Sequence, residues 1–299
     1  EGLIFAVISY HPHQQKIGAF LRYVNTDGRW QKIDTESANR LLTRHYPQYL
    51  YHSGQFDAAF HAVSPSAVVA HHQPEQQLQQ LLAHRPQDLL TAKMHKLVEI
   101  LTATGVDSQQ LGITGSILIN QHGRDSDIDL VVYGRQQFHA VRQAVKQAVF
   151  AGHLQPLDAE LMQDNYRRRS SELDYESFAW HEQRKFNKAV IDGSKFDIGM
   201  VCLSNELEVE HRHFMKRGSQ VTKARVIDDR YAFDFPARYL IDNPRTPEVI
   251  CFTHTYVGQA YQGELIEVAG AMECDNAGSC RIVVGSSREA IGEYIKVCN

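Results

Sequence analysis

The pattern of apolar and polar positions divides the chain into three stretches. The first, residues 1–86, combines strand-like runs with amphipathic segments and predicts a β-hairpin followed by a helical lead-in. Its predicted elements are strands at residues 3–10 and 17–24, joined by a longer polar loop, and helices at residues 36–45 and 73–83. The residues between the two helices are rich in Tyr, His, Ser and Pro, and they support no assignment.

The middle stretch, residues 87–227, alternates helices with short strands. Its clearest helix is predicted at residues 87–104, where apolar residues recur at helical spacing. The other predicted elements are strands at residues 111–113, 128–132 and 195–203, a helix at residues 135–150, and a polar, mainly helical insertion at residues 155–192. A helix that crosses between two parallel strands fits the first part of this order, and it predicts a mixed β-sheet covered by helices.

The last stretch, residues 228–299, predicts a small β-rich domain. Its strand-like runs lie at residues 248–256, 263–271 and 281–285. A closing helix is predicted at residues 286–297, because Ser286 and Glu289 have the spacing of a capping box. The chain as a whole is therefore predicted to have an α+β fold, with a mixed-sheet core and a small β-rich C-terminal domain.

Composition and charge narrow the class of protein. The chain has 299 residues, enough for two domains, and its net charge of -4 makes a strongly basic nucleic-acid binder an unlikely class. No apolar run is long enough to cross a membrane, and no basic leader precedes the first strand, so neither a membrane span nor a signal peptide is predicted. The five cysteines form no C-x-x-C pair, which favours a reduced, cytoplasmic setting.

Two of the cysteines flank a segment that is typical of a turn. Cys274 and Cys280 can meet across a hairpin and form a disulfide. The favoured interpretation is simpler, namely two small apolar residues that stay unpaired beside a turn.

Residues 111–133 carry the most informative chemistry. A short apolar strand leads into Gly115-Ser116, and after ten more residues Asp127 and Asp129 border the next apolar strand. Residues i and i+2 of a strand share a face, so the two carboxylates point the same way. Two like charges this close are costly without a cation between them, and Mg²⁺ binds carboxylates together with substrate phosphates. The Gly-Ser turn opens a short helical stretch whose backbone N–H groups can hold phosphate.

This arrangement resembles the signature of the DNA polymerase β-like nucleotidyltransferase superfamily. Members transfer a nucleoside monophosphate from an NTP to a hydroxyl or phosphate with two metal ions, and their pattern includes a third carboxylate on a later strand. Asp197, flanked by apolar residues, stands at a matching place. The resemblance covers roughly residues 111–203, and the arrangement of the whole chain is most similar to uncharacterised predicted nucleotidyltransferases of archaea and bacteria.

The resemblance implies a nucleotidyltransferase core and two Mg²⁺ or Mn²⁺ ions as cofactors. Asp127 and Asp129 would bind both ions, while Asp197 would bind the catalytic ion and help to deprotonate the acceptor. Gly115 and Ser116 would hold the triphosphate, because glycine lets the backbone approach and serine offers a hydroxyl and an N–H. The structural alternative is an ordinary strand-to-helix turn followed by solvated acids.

Three further residues are candidates for phosphate contacts. Arg124 and Ser126 lie in the loop before the Asp127 strand, although a solvated Arg124 is nearly as well supported. Lys195 lies on the same strand face as Asp197, and it can pair with phosphate or with Asp197 itself. Asp192 is a rival third carboxylate, but the dipeptide that it forms with the next glycine is typical of a turn.

Two stretches carry local positive charge. The first lies in the insertion, and its favoured interpretation is a solvated face balanced by nearby Glu and Asp; it consists of Arg167-Arg168-Arg169 with Arg184, Lys185 and Lys188. The second, residues 211–225, contains five Lys or Arg residues and no acid. For this second stretch, a track for a polyanion such as RNA and a solvated face are equally supported.

The sequence therefore predicts a metal-dependent nucleotidyltransferase. It would move an NMP from an NTP to an unidentified acceptor (RNA, a protein or a small molecule) and release pyrophosphate, with no membrane partner. A self-modifying member whose acceptor is a protein tyrosine is one form of this hypothesis. The alternative from another class is a non-catalytic nucleic-acid- or partner-binding protein that retains the fold.

Overall fold

A computed structural model describes residues 2–169, 171–208, 210–287 and 290–298. The chain divides into two units. Unit 1 contains Glu1–His71, Leu207–Lys216 and Asp275–Ala277, and unit 2 contains His72–Glu206, Arg217–Cys274 and Gly278–Asn299. The sequence-based division at residues 1–86, 87–227 and 228–299 stays a prediction.

Unit 1 is built on an antiparallel sheet with one helix. Its elements are β1 (Leu3–His13), β2 (Lys16–Thr26), β3 (Arg29–Lys32), α1 (Thr35–His45), β4 (Leu50–Ser53) and β5 (Ala58–Val63). The strand order is β1-β2-β5-β4, and β3 also pairs with β2. The predicted hairpin and helix are confirmed. The predicted longer loop is wrong, because His13 pairs with Lys16 and only two residues separate the strands.

The core of unit 1 lies between the sheet and α1. Asp34 begins the helix by accepting a hydrogen bond from the N–H of Ser37 at 2.8 Å. Leu42 from the helix and Leu21 from β2 are both buried in one hydrophobic cluster. Strands β4 and β5 fall in the segment without a sequence assignment, because Tyr, His and Ser side chains there obscure the apolar alternation.

The first part of unit 2 is a four-stranded mixed sheet with helices. Its elements are α2 (Pro74–Leu82), α3 (Leu89–Thr102), β6 (Leu111–Ile113), α4 (Gly115–Leu118), β7 (Ile128–Tyr133), α5 (Arg135–Phe150), α6 (Ala159–Arg169), α7 (Tyr175–Lys185), β8 (Lys188–Ile191) and β9 (Ser194–Val201). The strand order is β6-β7-β9-β8, with β7 and β9 parallel and the outer pairs antiparallel. The predicted mixed sheet and its main helices are confirmed.

The second part of unit 2 is a ring of strands. Its elements are β10 (Phe214–Tyr231, which begins in unit 1), β11 (Ala237–Ile241), β12 (Glu248–Cys251), β13 (Leu265–Asp275), β14 (Cys280–Val284) and β15 (Tyr294–Val297). The order is β10-β11-β12-β14-β13-β15, and a further pairing of β10 with β13 closes five of the strands into a ring. The predicted β-rich character of this region is confirmed, although β10 and β11 were not predicted.

The predicted closing helix at residues 286–297 is wrong. Residues 294–297 form β15, which pairs antiparallel with β13. Ile295 and Val297 point into the core, with exposures of 0% and 6%, so their alternation is that of a strand. Glu289, half of the proposed capping box, lies outside the described residues.

Two other expectations were tested by the structure. A disulfide joins Cys274 of β13 to Cys280 of β14, so the favoured interpretation of two unpaired residues beside a turn is wrong. Among the helices of the described residues, none has both the length and the apolar character that crossing a bilayer requires.

His181 joins the helical part of unit 2 to its last strand. The ring is buried (2% exposed) on α7. Its Nδ1–H donates to the carbonyl of Ser177 at 2.6 Å, and its Nε2 accepts the N–H of Val297 at 3.1 Å. Protonation of the His181 ring would turn Nε2 into a second donor, which would face the N–H of Val297 and could no longer accept it. Burial lowers the pKa of His181 to about 4, and the charges of Lys185 and Arg184 act in the same direction.

We expect acid to destabilise the protein through His181 between about pH 6.5 and pH 4. In this window the unfolded chain binds a proton at its ordinary pKa and the folded chain does not, so stability falls as the pH is lowered. The loss from this residue is about 2–3 kcal/mol at pH 4.5. Urea unfolding at pH 7 and pH 4.5 should show that His181→Gln loses less stability than the parent protein, whereas the exposed-site variant His153→Gln behaves like the parent. Equal losses in all three proteins would contradict this role of His181.

Candidate active site

Two of the predicted aspartates lie side by side on neighbouring strands. β7 and β9 run parallel, and their register pairs Asp129 with Asp197. The residues that precede the pair, Ile128 and Phe196, are fully buried in the core. Because side chains alternate between the faces of a strand and adjacent strands lie about 4.8 Å apart, the two aspartates share the opposite face of the sheet.

Asp127 reaches the same region from the loop before β7. It lies two positions before Asp129, and its Oδ2 is 3.1 Å from the Nζ of Lys195, which is on β9 two positions before Asp197. The side chains of Asp127 and Asp197 are 32% and 24% exposed, so solvent and small ligands can reach them. The structure therefore brings the three predicted aspartates to one region of the sheet.

Gly115 lies directly against the carboxylate of Asp129. Its φ is +64°, and a Cβ added to it would lie 2.1 Å from Asp129 Oδ2. The preceding N–H, from Thr114, donates to the carbonyl of Asp129 at 2.8 Å, which fixes the turn beside the strand. Both the backbone conformation and the approach of Asp129 therefore require glycine at this position.

The other predicted phosphate contacts lie around this turn. Ser116 is the second residue of α4 and is partly buried. The hydroxyl of Ser126 accepts the N–H of Gly123 at 3.0 Å, which closes the loop before β7. Arg124 is exposed in the same loop, and within the described residues it is not among the ion-pair partners of the aspartates. Phosphate binding by these three residues stays a prediction.

Three cations balance the aspartates. Lys195, whose side chain is only 8% exposed, pairs with Asp127. Arg168 lies 3.8 Å from the same carboxylate oxygen, and Arg169 lies 3.6 Å from Asp197 Oδ2. Both arginines come from the C-terminal end of α6. The acidic region is therefore built together with counter-charges from β9 itself and from α6.

These contacts bear on three expectations. The basic stretch of the insertion was interpreted as a solvated face balanced by nearby acids; Arg168 is 63% exposed and pairs with Asp164, as that interpretation expects, although its contact with Asp127 and that of Arg169 with Asp197 were not predicted. The interpretation is wrong for Lys185 and Lys188, whose side chains are buried. Lys195 pairs with Asp127 instead of Asp197. Asp192, the rival third carboxylate, pairs with Lys96 at 2.7 Å. A run of three arginines in a polar helix was the only sequence signal for the missed contacts, and it does not say which way the helix faces.

A buried ionic network lies next to Asp197. Lys188 is its register partner on β8, and this lysine contacts Glu182. Glu182 also pairs with Lys185 at 2.5 Å and accepts a hydrogen bond from Asn165 at 3.1 Å. Burial alone would raise the pKa of Glu182, but the charges of Lys185 and Lys188 hold that pKa well below its usual range. Two lysines around one carboxylate leave an excess of positive charge beside Asp197.

The residues at this site fit hard divalent cations. Carboxylate oxygens are the ligands that Mg²⁺ and Mn²⁺ prefer. Within the described ranges, no group of three or more His, Cys, Asp or Glu side chains is already arranged around a common point. Metal binding at these aspartates therefore requires Asp127 and Asp197 to exchange their present cationic partners.

Comparisons with known proteins agree with the fold of this domain. The family model of a nucleotidyltransferase domain matches residues 94–187. An uncharacterised protein of Methanocaldococcus jannaschii is 32% identical over an alignment of 336 positions, which covers 99% of this chain and 96% of that protein. No solved structure matches the chain significantly. The fold and site define a nucleotidyltransferase-type domain, and the chain belongs to the nucleotidyltransferase superfamily that its sequence resembles.

We expect Gly115→Ala to disrupt the site, because the new Cβ would displace the Asp129 carboxylate. Mn²⁺ affinity, measured by calorimetry, should fall about 10–100-fold. The matched control is Gly123→Ala, since a Cβ at Gly123 would meet nothing within 4 Å. If both variants bound Mn²⁺ as the parent does, Asp129 would not be a metal ligand.

Proposed function

We propose that this protein is a metal-dependent nucleotidyltransferase, which moves an NMP from an NTP to an acceptor and releases pyrophosphate. The observation that carries the proposal is the pairing of Asp129 with Asp197 in register, directly beside Gly115. Membership of the superfamily supports nucleotidyl transfer in general. The acceptor is RNA, a protein or a small molecule, and the reaction takes place in the cytoplasm.

The aspartates have distinct roles in this proposal. Asp127 and Asp129 would hold two Mg²⁺ or Mn²⁺ ions, and Asp197 would hold one of them. When bound, such ions would stabilise the charge on the attacking and leaving oxygens. The acceptor oxygen bonds to the α-phosphorus, the bond from that phosphorus to the oxygen bridging to the β-phosphate breaks, and pyrophosphate leaves with the bridging oxygen. Asp197 accepts the proton of the acceptor hydroxyl.

The remaining residues of the site orient the triphosphate. Positioning and charge neutralisation supply most of the catalysis in phosphoryl transfer, so contacts to phosphate matter more than covalent chemistry. The residues proposed for these contacts are Gly115, Ser116, Arg124, Ser126 and Lys195. Arg168 and Arg169 join them once the aspartates bind metal, because an arginine released from a carboxylate can bind phosphate with the same geometry.

A non-catalytic binding protein is the second candidate. The ion pairs of Asp127 and Asp197 favour it, since cations from the chain already balance these two carboxylates. Two features argue against this candidate: the third carboxylate, which is that of Asp129, and the Gly115 turn that lies directly against it. The two candidates differ in one property: only the enzyme requires a divalent ion to act on nucleotide.

We expect Asp127→Asn to reduce pyrophosphate release by about a hundredfold or more, because it removes a charged ligand from the metal site. The assay supplies each NTP with Mg²⁺ or Mn²⁺ and a cell extract as the source of acceptor, and labelled NTP identifies what is modified. Asp125→Asn is the matched control: it removes one exposed carboxylate from the same loop, two positions away.

Two results would refute the enzymatic proposal. One is pyrophosphate release that is equal in the Asp127→Asn and Asp125→Asn variants. The other is a parent protein that binds RNA or a protein partner equally well with EDTA present and converts no NTP, which would establish the binding protein instead.

A further inference from the structure

Unit 1 contains a cavity that the chemistry of the aspartates does not use. Its volume is about 250 Å³. The side chains that matter for its chemistry come from the β1–β2 turn, from β4 and the turn after it, and from the 207–216 segment of unit 1: His13, Gln14, Tyr51, Ser53, Gln55 and His213.

The β1–β2 turn forms one side of the cavity. Gln14 and Gln15 are its two central residues, with φ of 49° and 66°, a conformation that usually selects glycine or asparagine. The ring of His13, which precedes the turn, lies close to Gly18: a Cβ added to Gly18 would be 3.0 Å from Cδ2 of His13. His13 is held there by a 2.9 Å hydrogen bond between its Nε2 and the hydroxyl of Ser9. The turn therefore fixes one imidazole and one amide side chain at the cavity.

His13 and Tyr51, which line the cavity, belong to an aromatic cluster. The ring of His13 lies 4.8 Å from Phe60, 5.7 Å from Phe56 and 6.0 Å from Tyr51, measured between centroids. Tyr51 and Phe60 are themselves 5.4 Å apart. Offset and edge-on packing of this kind makes a rigid cluster, and a flat ring in the cavity can pack against its two lining members, His13 and Tyr51.

The polar groups of the lining are hydroxyls, side-chain amides and imidazoles. Ser53 is buried (1% exposed), and its hydroxyl accepts the N–H of Phe56 at 3.4 Å, so its own hydrogen can be donated into the cavity. The side-chain N–H of Gln55 donates to the carbonyl of Glu210, which leaves its Oε1 as an acceptor. The lining includes no Asp, Glu, Lys or Arg. A ligand of this cavity is thus neutral and carries both donors and acceptors.

These properties exclude other common ligands. A phosphate or carboxylate would need a cation, and an amine would need an acid, and the lining supplies neither. His13 and His213 could offer two imidazoles to a metal, but among the described residues no third ligand completes such a site. The volume lies just below the range of about 300–1,000 Å³ that is typical of pockets for drug-sized molecules, so a single ring system fits best.

We propose that this cavity binds one nucleobase. The base lies against the aromatic cluster of His13 and Tyr51, and its polar edge is read by Gln14, Gln55 and the Ser53 hydroxyl. The base comes from a free nucleoside or from an unpaired position of an RNA strand. The site belongs to unit 1, so it is independent of the aspartates of unit 2 and does not rest on the proposed transferase activity.

The test is calorimetric titration of the full chain in EDTA with the four nucleosides and with short single-stranded oligonucleotides. Nucleosides lack phosphates, and EDTA removes metal, so binding at the aspartates does not interfere. We expect Gln14→Ala and His213→Ala each to weaken binding about 2–10-fold, which is the effect of losing one hydrogen bond or ring contact. The matched controls are Gln15→Ala, which has the same backbone conformation, and His211→Ala, which is equally exposed and does not line the cavity.

The outcomes answer two separate questions: whether the cavity binds a base, and whether that base comes from RNA or from a free nucleoside. Oligonucleotides that bind more tightly than nucleosides, with the same dependence on Gln14 and His213, identify RNA as the source, whereas equal or weaker binding identifies a free nucleoside. The proposal is overturned if no nucleoside or oligonucleotide binds, or if the control variants weaken binding as much as the lining variants. Binding that is lost in Asp127→Asn would assign the ligand to the other site and would also overturn it.

Discussion

The parallel register of β7 and β9 is the constraint on which the rest of the site depends. It sets Asp129 beside Asp197, in a region where burial of the flanking residues prevents either strand from slipping by one position. Two carboxylates about 5 Å apart repel each other by about 3 kcal/mol at an effective dielectric constant of about 20. The fold tolerates this repulsion because Lys195, Arg168 and Arg169 bring compensating charge from β9 and α6.

This balance of charge explains how the same residues can serve both a metal-free state and the proposed metal-bound state. With the arginines in place, the carboxylates are neutralised by the chain itself, and the sheet can form without added ions. Arg168 is 63% exposed and also pairs with Asp164, so it can leave Asp127 without losing every partner. Lys195 is almost buried and has less freedom to move. In the proposed mechanism, α6 would therefore link metal binding to the phosphate contacts.

The sequence predicted which aspartates the fold brings together better than it predicted their surroundings. Asp127, Asp129 and Asp197 stand out in the sequence because an acid inside an apolar strand is costly and therefore informative. The contacts of Arg168 and Arg169 could not be found, since a polar helix gives no sign of which face meets the sheet. β4 and β5 were missed because side chains typical of loops occupy these two partly exposed strands. β15 was missed because a capping pattern outweighed a four-residue alternation.

The central claim is that three carboxylates converge on divalent metal, and it is tested most directly by crystallography with Mn²⁺ and a non-hydrolysable NTP analogue. The account predicts anomalous density for two ions about 4 Å apart, ligated by Asp127, Asp129 and Asp197, with Arg168 and Arg169 turned away from the carboxylates towards phosphate. Absence of anomalous density at these aspartates, with the arginines still paired to them while the nucleotide is bound, would contradict the account.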